Sequence, residues 1–460
     1  MERGRLAREF RALFRADEPS ALRFKMKVGL SLLGILFVGS LGSAAEPWTL
    51  ESALGYALAH NPDAQLAQQR INAAQAGLQQ ADAAFWPQLQ VQSSYTRTDN
   101  PMMVFGDILA QHAYNYAAPP DFNNLPNVDD ANVQGIVTVP LYAGGRNAAS
   151  RAAAMAGTQA AQQDSAAVRN ALGFEVTRAF YTVLKTRQFV RAAKAEVNAF
   201  ESDLATAQKR LNGGTLLKSD ALDFEVRLAR AREDLIRARN ADTLAQRALR
   251  NLLGIEDGDF IVADTAPAVS VPDSNDFSQR PELAAARARA RAAQARVRGA
   301  KGGYQPSLNA FGSVGYDYGT KFDDGGRNYT VGVMAQWDLW DGNSTRGKVR
   351  EARANLESAR QEERKLHLAL DLEVEQARLD LQTADERLAV TGKVVDQAKE
   401  SAQLTRARFE QGLALSTQLI DSETALVAAR VRRAEAEADR GVAVAALRKA
   451  LGMPQLDAGK

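Results

Sequence analysis

The chain is written twice, and no other feature constrains its fold as much. Residues 61–89, NPDAQLAQQRINAAQAGLQQADAAFWPQL, match 280–308, RPELAAARARARAAQARVRGAKGGYQPSL, with Pro62 on Pro281 and Pro87 on Pro306. Further on, VPLYAGG (139–145) matches WDLWDGN (337–343). From there one offset of 198 holds without a gap, placing Glu175-Val176 on Glu373-Val374, Gly214 on Gly412 and Leu253-Gly254 on Leu451-Gly452. The earlier offset is 219, so the first copy carries 21 extra residues between Ser94 and Pro140. A period this long means two structural repeats, with a longer loop in the first.

Each copy has the same internal order. A helix comes first, over 62–85 and 281–303, and a proline ends it because proline cannot continue a helical ladder. Two alternating stretches follow, predicted as strands over about 87–97 and 131–142, then about 306–318 and 328–340. In the last of these, Tyr329, Val331, Val333, Ala335, Trp337 and Leu339 share one face, and Thr330, Gly332, Met334, Gln336 and Asp338 the other. In the first, Leu89, Val91 and Tyr95 oppose Gln88, Gln90, Gln92, Ser94 and Thr96. The loop FDDGGRN (322–328) reads as the turn between the third and fourth strands.

A very long helical pattern then runs over 146–211 and 344–409. Its apolar positions, Val168, Leu172, Val176, Ala179 and Val183, and in the second copy Leu366, Leu370, Val374, Ala377 and Leu381, form the narrow stripe of a coiled coil. Each such helix extends roughly 100 Å. Each is broken by a short interruption, RLNGGTLLKSD (210–220) or RFEQGLALSTQ (408–418), and a return helix of roughly 35 residues follows, far above the ordinary mean. Glycine stops the outgoing helix by turning left-handed. Ser219 and Thr417 are the expected caps of the return helices. The chain thus divides into a first repeat (46–260), a linker (261–275), a second repeat (276–454) and a C-terminal tail (455–460).

Composition removes several function classes. The chain has 460 residues, is 24% charged and 45% hydrophobic, and carries a net charge of +2, so charge makes no case for nucleic acid. It has no cysteine, hence no disulfide, no thiolate and no lipid-bearing cysteine. His60, His112 and His367 lie far apart, and no GxSxG, Walker A, GxGxxG or zinc motif appears. No enzyme, cofactor or metal is expected. DFNNLPNVDDAN (121–132) is rich in oxygen ligands but lacks a calcium-loop pattern, and reads as a solvated loop. From Met26, MKVGLSLLGILFVGSLGSAAEPW has a charged start, an apolar run and a small-residue site, the form of a secretory signal. It is shorter than the ~20 apolar residues of a spanning helix. The expectation is a signal peptide over 26–45, cleaved after Ala45, with 1–25 as an upstream extension.

Exported strands of this length suit a bilayer, yet four cannot close a barrel, and open edges in lipid leave backbone groups unpaired. Copies of the chain must pool strands. The glutamine and threonine face (Gln88, Gln90, Gln92, Thr330, Gln336) then lines a lumen, and Trp86, Tyr142, Trp337 and Trp340 form an aromatic girdle at the strand–helix boundaries. A β-sandwich on a stalk would leave signal, girdle and polar strand face unconnected.

These residues resemble the TolC-like outer-membrane efflux proteins, on WTLESALGYALAHNPD, QADAAFWPQL, VPLYAGGRN and the duplicated order. The resemblance covers nearly all of 48–454. It implies a membrane α+β fold: a homotrimer whose twelve strands form an outer-membrane barrel, continued by a periplasmic α-helical coiled-coil tunnel. It further implies a passive exit duct for efflux or type I secretion, working with a periplasmic adaptor and an inner-membrane pump of RND, ABC or MFS type. On the family's tip motif fall Arg210 and Gly214, and Arg408 and Gly412; together with Gly213, Leu217 and Leu415 of the same turns they are the expected adaptor-docking residues. Asp220, Asp223, Asp421 and Glu423 are candidates for an acidic ring at the entrance. A periplasmic coiled-coil adaptor is the alternative, and the second hairpin with amphipathic strands weighs against it. The extra loop, including PMMVFGDILAQHAYNYAAPPDFNN, departs from the pattern; its effect is not legible in the sequence, and narrowing of the outer mouth is one option.

Overall fold

A computed structural model describes residues 47–119, 121, 124–257 and 260–457. The signal peptide and the upstream extension lie outside the described residues. Among the described residues eight α-helices and four β-strands follow one another, and their order repeats apart from α1 and α3, which the first half adds. The first half comprises α1 (Leu50–His60), α2 (Pro62–Ala83), β1 (Gln88–Thr98), α3 (Pro101–Ala110), β2 (Val128–Ala143), α4 (Arg146–Asn212) and α5 (Lys218–Leu253). The second comprises α6 (Pro281–Lys301), β3 (Ser307–Gly319), β4 (Asp324–Gln336), α7 (Ser344–Glu410) and α8 (Ser416–Ala450).

Local chemistry sets the helix starts. Thr49 and Ser52 cap one another at the head of α1, with Ser52 N–H donating to Thr49 Oγ1 at 3.2 Å. Asn61 caps α2 by accepting from Asp63 N–H at 2.7 Å, and Pro62 fills the first helical position. α4 and α7 are each 67 residues long, so each extends roughly 100 Å. No helix among the described residues is long and apolar enough to cross a membrane.

The four strands form one antiparallel sheet in the order β1-β2-β3-β4, with β1 and β4 as free edges. Two expectations are corrected here. The fourth strand covers 324–336 rather than 328–340, so Trp337, Leu339 and Trp340 lie past its end. Asp324 to Asn328, read as turn, pair with Gly315 to Gly319 as strand; the ladder outweighs the local turn preference of Gly325-Gly326. The turn is confined to residues 320–323. The extra outer loop also contains a helix, α3, that no periodicity announced.

The hairpins α4–α5 and α7–α8 run away from the sheet and pack on each other. The expected stripe is where they bury: Leu172, Val176 and Val183 on α4, and Leu370, Val374, Ala377 and Leu381 on α7. Midway along the helices, α1 and the inter-repeat segment wrap the bundle, with Trp48 bridging Val262. The chain end is tied down there too. Arg448, 2% exposed, donates to the carbonyls of Pro454, Ser270 and Leu456 and pairs with Asp457 at 2.8 Å.

Hydrogen bonds from the Ser270 hydroxyl and N–H, then Arg448, hold the Asp457 carboxyl down at about 2. A depressed carboxylate stabilises fully above its unfolded value, and its contribution is lost as pH falls through the folded one. Amide protection at 451–457 is therefore expected to hold above the usual carboxylate range and to fall as pH drops from there toward about 2. Asp457→Asn should show low protection throughout, as read by hydrogen exchange with mass spectrometry.

Candidate functional site

The hairpin tips lie at the end of the molecule farthest from the sheet. In the first, Gly214 is left-handed (φ 71°), its N–H bonds the Leu211 carbonyl at 3.0 Å, and Thr215 N–H bonds the Arg210 carbonyl at 2.9 Å. In the second, Gly412 (φ 80°) bonds Phe409 at 2.9 Å, and Leu413 N–H bonds Arg408 at 2.7 Å. Both are the two-bond helix stop that a left-handed glycine permits. Gly213 is the right-handed residue before the stop (φ −80°) and acts as the helix cap. Leu217 and Leu415 then stand 70% and 68% exposed at matching places. Both leucines, in extended conformation, precede the return helices. Ser219 and Thr417 therefore sit inside those helices and do not cap them. The second tip recovers one orphan donor differently: Leu415 N–H donates to Gln418 Oε1 at 3.1 Å.

The two tip arginines differ. Arg210 crosses to the other hairpin, donating to the Phe409 carbonyl at 2.8 Å and stacking 4.8 Å from the Phe409 ring centre. Arg408 is exposed and, among the described residues, donates to the Leu413 carbonyl of its own turn at 3.5 Å. Beneath both lies a core of Phe200, Phe224, Phe409, Leu419 and Ile420.

The four candidate entrance carboxylates also divide. Asp223 and Asp421 are exposed. Asp220 accepts from the Ser416 hydroxyl across the hairpins at 3.1 Å. Glu423 is 5% exposed and faces inward, a correction to its place in an entrance ring. It pairs with Arg406 at 2.8 Å, and Arg406 pairs with buried Asp203 at 3.1 Å. Burial raises both carboxyls above their ordinary values, and the Arg406 guanidinium opposes that rise. This cross-hairpin cluster went unread in the sequence. Its signal was an asymmetry between the copies: Arg406 aligns with Gln208, and Asp203 with Ser401.

At the other end, strand register carries each expected face across the whole sheet, since antiparallel partners point the same way. Gln90, Ile136, Ser313 and Thr330 form one cross-sheet row, and Gln92, Gln134, Gly315 and Asn328 the next. Gln88 shares this face through Thr138, and Gln336 through Ser307. The opposite face has Leu89, Val137 and Val331 in one row and Val91, Val314 and Tyr329 in another. Val91, Val314, Tyr329 and Val331 are 68–80% exposed in the single chain. Trp86, Tyr142, Trp337 and Trp340 gather where strands give way to helices, and all four are exposed. Trp337 Nε1–H donates to the Tyr304 carbonyl at 3.1 Å.

Comparison with known proteins agrees with this geometry. The family described as Outer membrane efflux protein matches residues 53–255 and 276–453, one span per repeat. Outer membrane protein TolC of Vibrio cholerae serotype O1 is 26% identical over 315 residues, covering 64% of this chain and 71% of its own. The cobalt-zinc-cadmium resistance protein CzcC of Cupriavidus metallidurans is 24% identical over 399 residues, 85% of this chain and 86% of its own. Among solved structures, a membrane protein from Pseudomonas aeruginosa superimposes with a TM-score of 0.77 at 21% identity, covering 88% of this chain and 90% of that one. The outer membrane protein VceC of Vibrio cholerae gives 0.73 at 21% identity, covering 88% and 96%. The shared fold makes the four-stranded sheet one third of a trimeric twelve-stranded barrel, continued by the hairpins as a helical tunnel. On its repeats, its open-edged sheet and its match over both halves, the chain belongs to the outer membrane efflux protein family, as an exit duct seated in the outer membrane and extending into the periplasm.

Proposed function

We propose that the hairpin tips are the docking surface for a periplasmic adaptor, through which an inner-membrane pump drives cargo into this passive duct. One observation carries the reading. At both tips an arginine, a left-handed glycine and a bare leucine recur at the same spacing, residues 210, 214 and 217 against 408, 412 and 415. A turn alone needs the glycine. It does not need a leucine about 70% exposed at each tip, and apolar side chains presented in a repeating array suit a partner surface. Three chains would present six such tips in a ring, which suits helical hairpins laid between them. The adaptor reading of this chain itself fits less well, because the sheet carries a broad apolar face and two open edges that only a closed barrel in lipid satisfies.

Cargo is not set at the tips. Relatives are named for pyoverdine export, alkaline protease secretion and cobalt-zinc-cadmium resistance, which differ in size and charge. We therefore assign cargo choice to the pump. Purified protein is expected to cross-link to trimers and to form channels in planar bilayers. A monomer in detergent without conductance would refute the duct. Cross-linking of Leu217→Cys and Leu415→Cys chains in cells should trap a periplasmic partner; trapping none while trimers form would refute tip docking alone.

A further inference from the structure

The longer first outer loop contributes the helix α3. This helix has two unlike sides. Val104, Ile108 and Gln111 lie on one side at helical spacing and are at most 3% exposed. Met102 and Leu109 lie on the other, 80% and 47% exposed, while half-buried Phe105 packs edge-on against Tyr114.

The buried side sits on the sheet, and its contacts say on which face. Gln111 Nε2–H donates to the Asp129 carbonyl at 2.8 Å and to Asp130 Oδ1 at 3.1 Å. Asp130 pairs with Thr96, in the same alternation as Gln88, Gln90 and Gln92. Val128, fully buried with Val104 and Ile108, pairs with Thr98 in that alternation too. Gly326 is opposite Asp317, again on the polar face, and a Cβ there would overlap the Ala110 carbonyl. At Gly319 a Cβ would overlap the Gln111 side chain. Both glycines are gaps cut into the polar face so that the helix can lie close. All these residues are at the strand ends farthest from the long helices. The helix therefore rests on the lumenal face at the outer mouth, given that the polar face is the lumen, which rests on the duct reading above.

We propose that α3 is a lumenal cap, and that three copies of its Met102–Leu109 side meet around the channel axis as an apolar constriction at the outer mouth. The occupant of each exposed side is the same helix of the neighbouring chains, because closing the barrel carries three copies to one rim. An apolar ring of this kind blocks water and small polar solutes by dewetting rather than by a charge barrier. Cargo pushed from inside would displace it, while solutes outside would meet a dry neck. The Asp107 carboxyl beside it is raised above its ordinary value by burial, with Asp130 and Asp317 adding to the rise; it sits under the cap and not on the exposed side.

The test uses the absence of native cysteine, so any introduced thiol is the only one. Met102→Cys and Leu109→Cys, both at exposed positions, are expected to give covalent dimers within trimers on treatment with a short bismaleimide. In intact cells, Gln90→Cys, below the cap on the lumenal face, is expected to react slowly with a bulky impermeant maleimide. Adding Met102→Ser and Leu109→Ser should speed that reaction by about an order of magnitude as the neck wets. Trimers of normal mass with no bismaleimide dimers, or equal labelling rates with and without the serines, would overturn the cap. If Gln90→Cys reacts only with lipid-soluble reagents, the polar face is not the lumen, and the duct reading falls together with the cap.

Discussion

Arg408→Glu is expected to abolish export while outer-membrane trimers form at normal yield and melt at the normal temperature. Arg408 is exposed, and its guanidinium makes a 3.5 Å hydrogen bond to its own turn. A cation at a helix C-terminus contributes about 0.3–1 kcal/mol, too little to unfold a trimer with this much buried helix. Docking is another matter, because the charge is reversed at three equivalent sites at once. The comparison with Arg210 makes the test sharper. Arg210 holds the Phe409 carbonyl and ring from the other hairpin, so Arg210→Glu should lose export and also loosen the tip, read as faster proteolysis near residue 213. Gly412→Pro should be more severe still, since proline cannot adopt the φ of 80° found there. Arg364→Glu, exposed in mid-helix, is the control and should be nearly silent. Full export by the Arg210→Glu, Arg408→Glu double variant would leave these residues a turn-forming role only.

Val331→Arg is expected to eliminate trimers from the outer membrane altogether. Val331 lies in the apolar cross-sheet row with Leu89 and Val137, near the middle of β4, and is 78% exposed in the single chain. An arginine facing lipid at barrel mid-depth costs about 2–4 kcal/mol, and the trimer bears it three times. The neighbouring residue supplies the contrast. Thr330→Arg places the same charge on the lumenal face, where water solvates it, so trimers should form and the channel's ion selectivity should shift toward anions. Semi-native electrophoresis of outer membranes reads the first outcome, and reversal potentials in planar bilayers read the second. Normal trimers from Val331→Arg would mean that the apolar face does not meet lipid.

Much of this architecture was legible in the sequence because its causes are local. A 3.6-residue stripe sustained over 67 residues admits one secondary structure. Gly214 and Gly412 announce helix stops because only glycine takes that backbone freely. Alternation along β1 and β4 predicted two unlike faces, and strand register then carried those faces across β2 and β3, with Ile136 and Phe311 as apolar residues on the polar side. The duplication imposes the order helix, two strands and long hairpin on both halves, to which the first adds α1 and α3.

What only the tertiary structure decided concerns residues far apart in the chain. Arg406 meets Asp203 and Glu423 because two hairpins lie side by side, and that neighbourhood turned an expected entrance carboxylate into a buried ion pair. Arg210 became a clamp on Phe409, 199 residues away, while its repeat counterpart Arg408 bonds only its own turn among the described residues, although both read alike in sequence. Start signals also yielded to packing: Ser219 lost the cap to Leu217, whose backbone is already extended where the return helix begins. The ten residues of α3 are too few to hold a helix in water alone. The helix exists, and turns inward, because Gly319 and Gly326 leave room for it and Asp129 and Asp130 accept the bonds of Gln111. Periodicity is a property of a single segment and can be read from it. An ion pair, a cap on a sheet and a docking distance belong to two segments brought together, and only the folded chain brings them there.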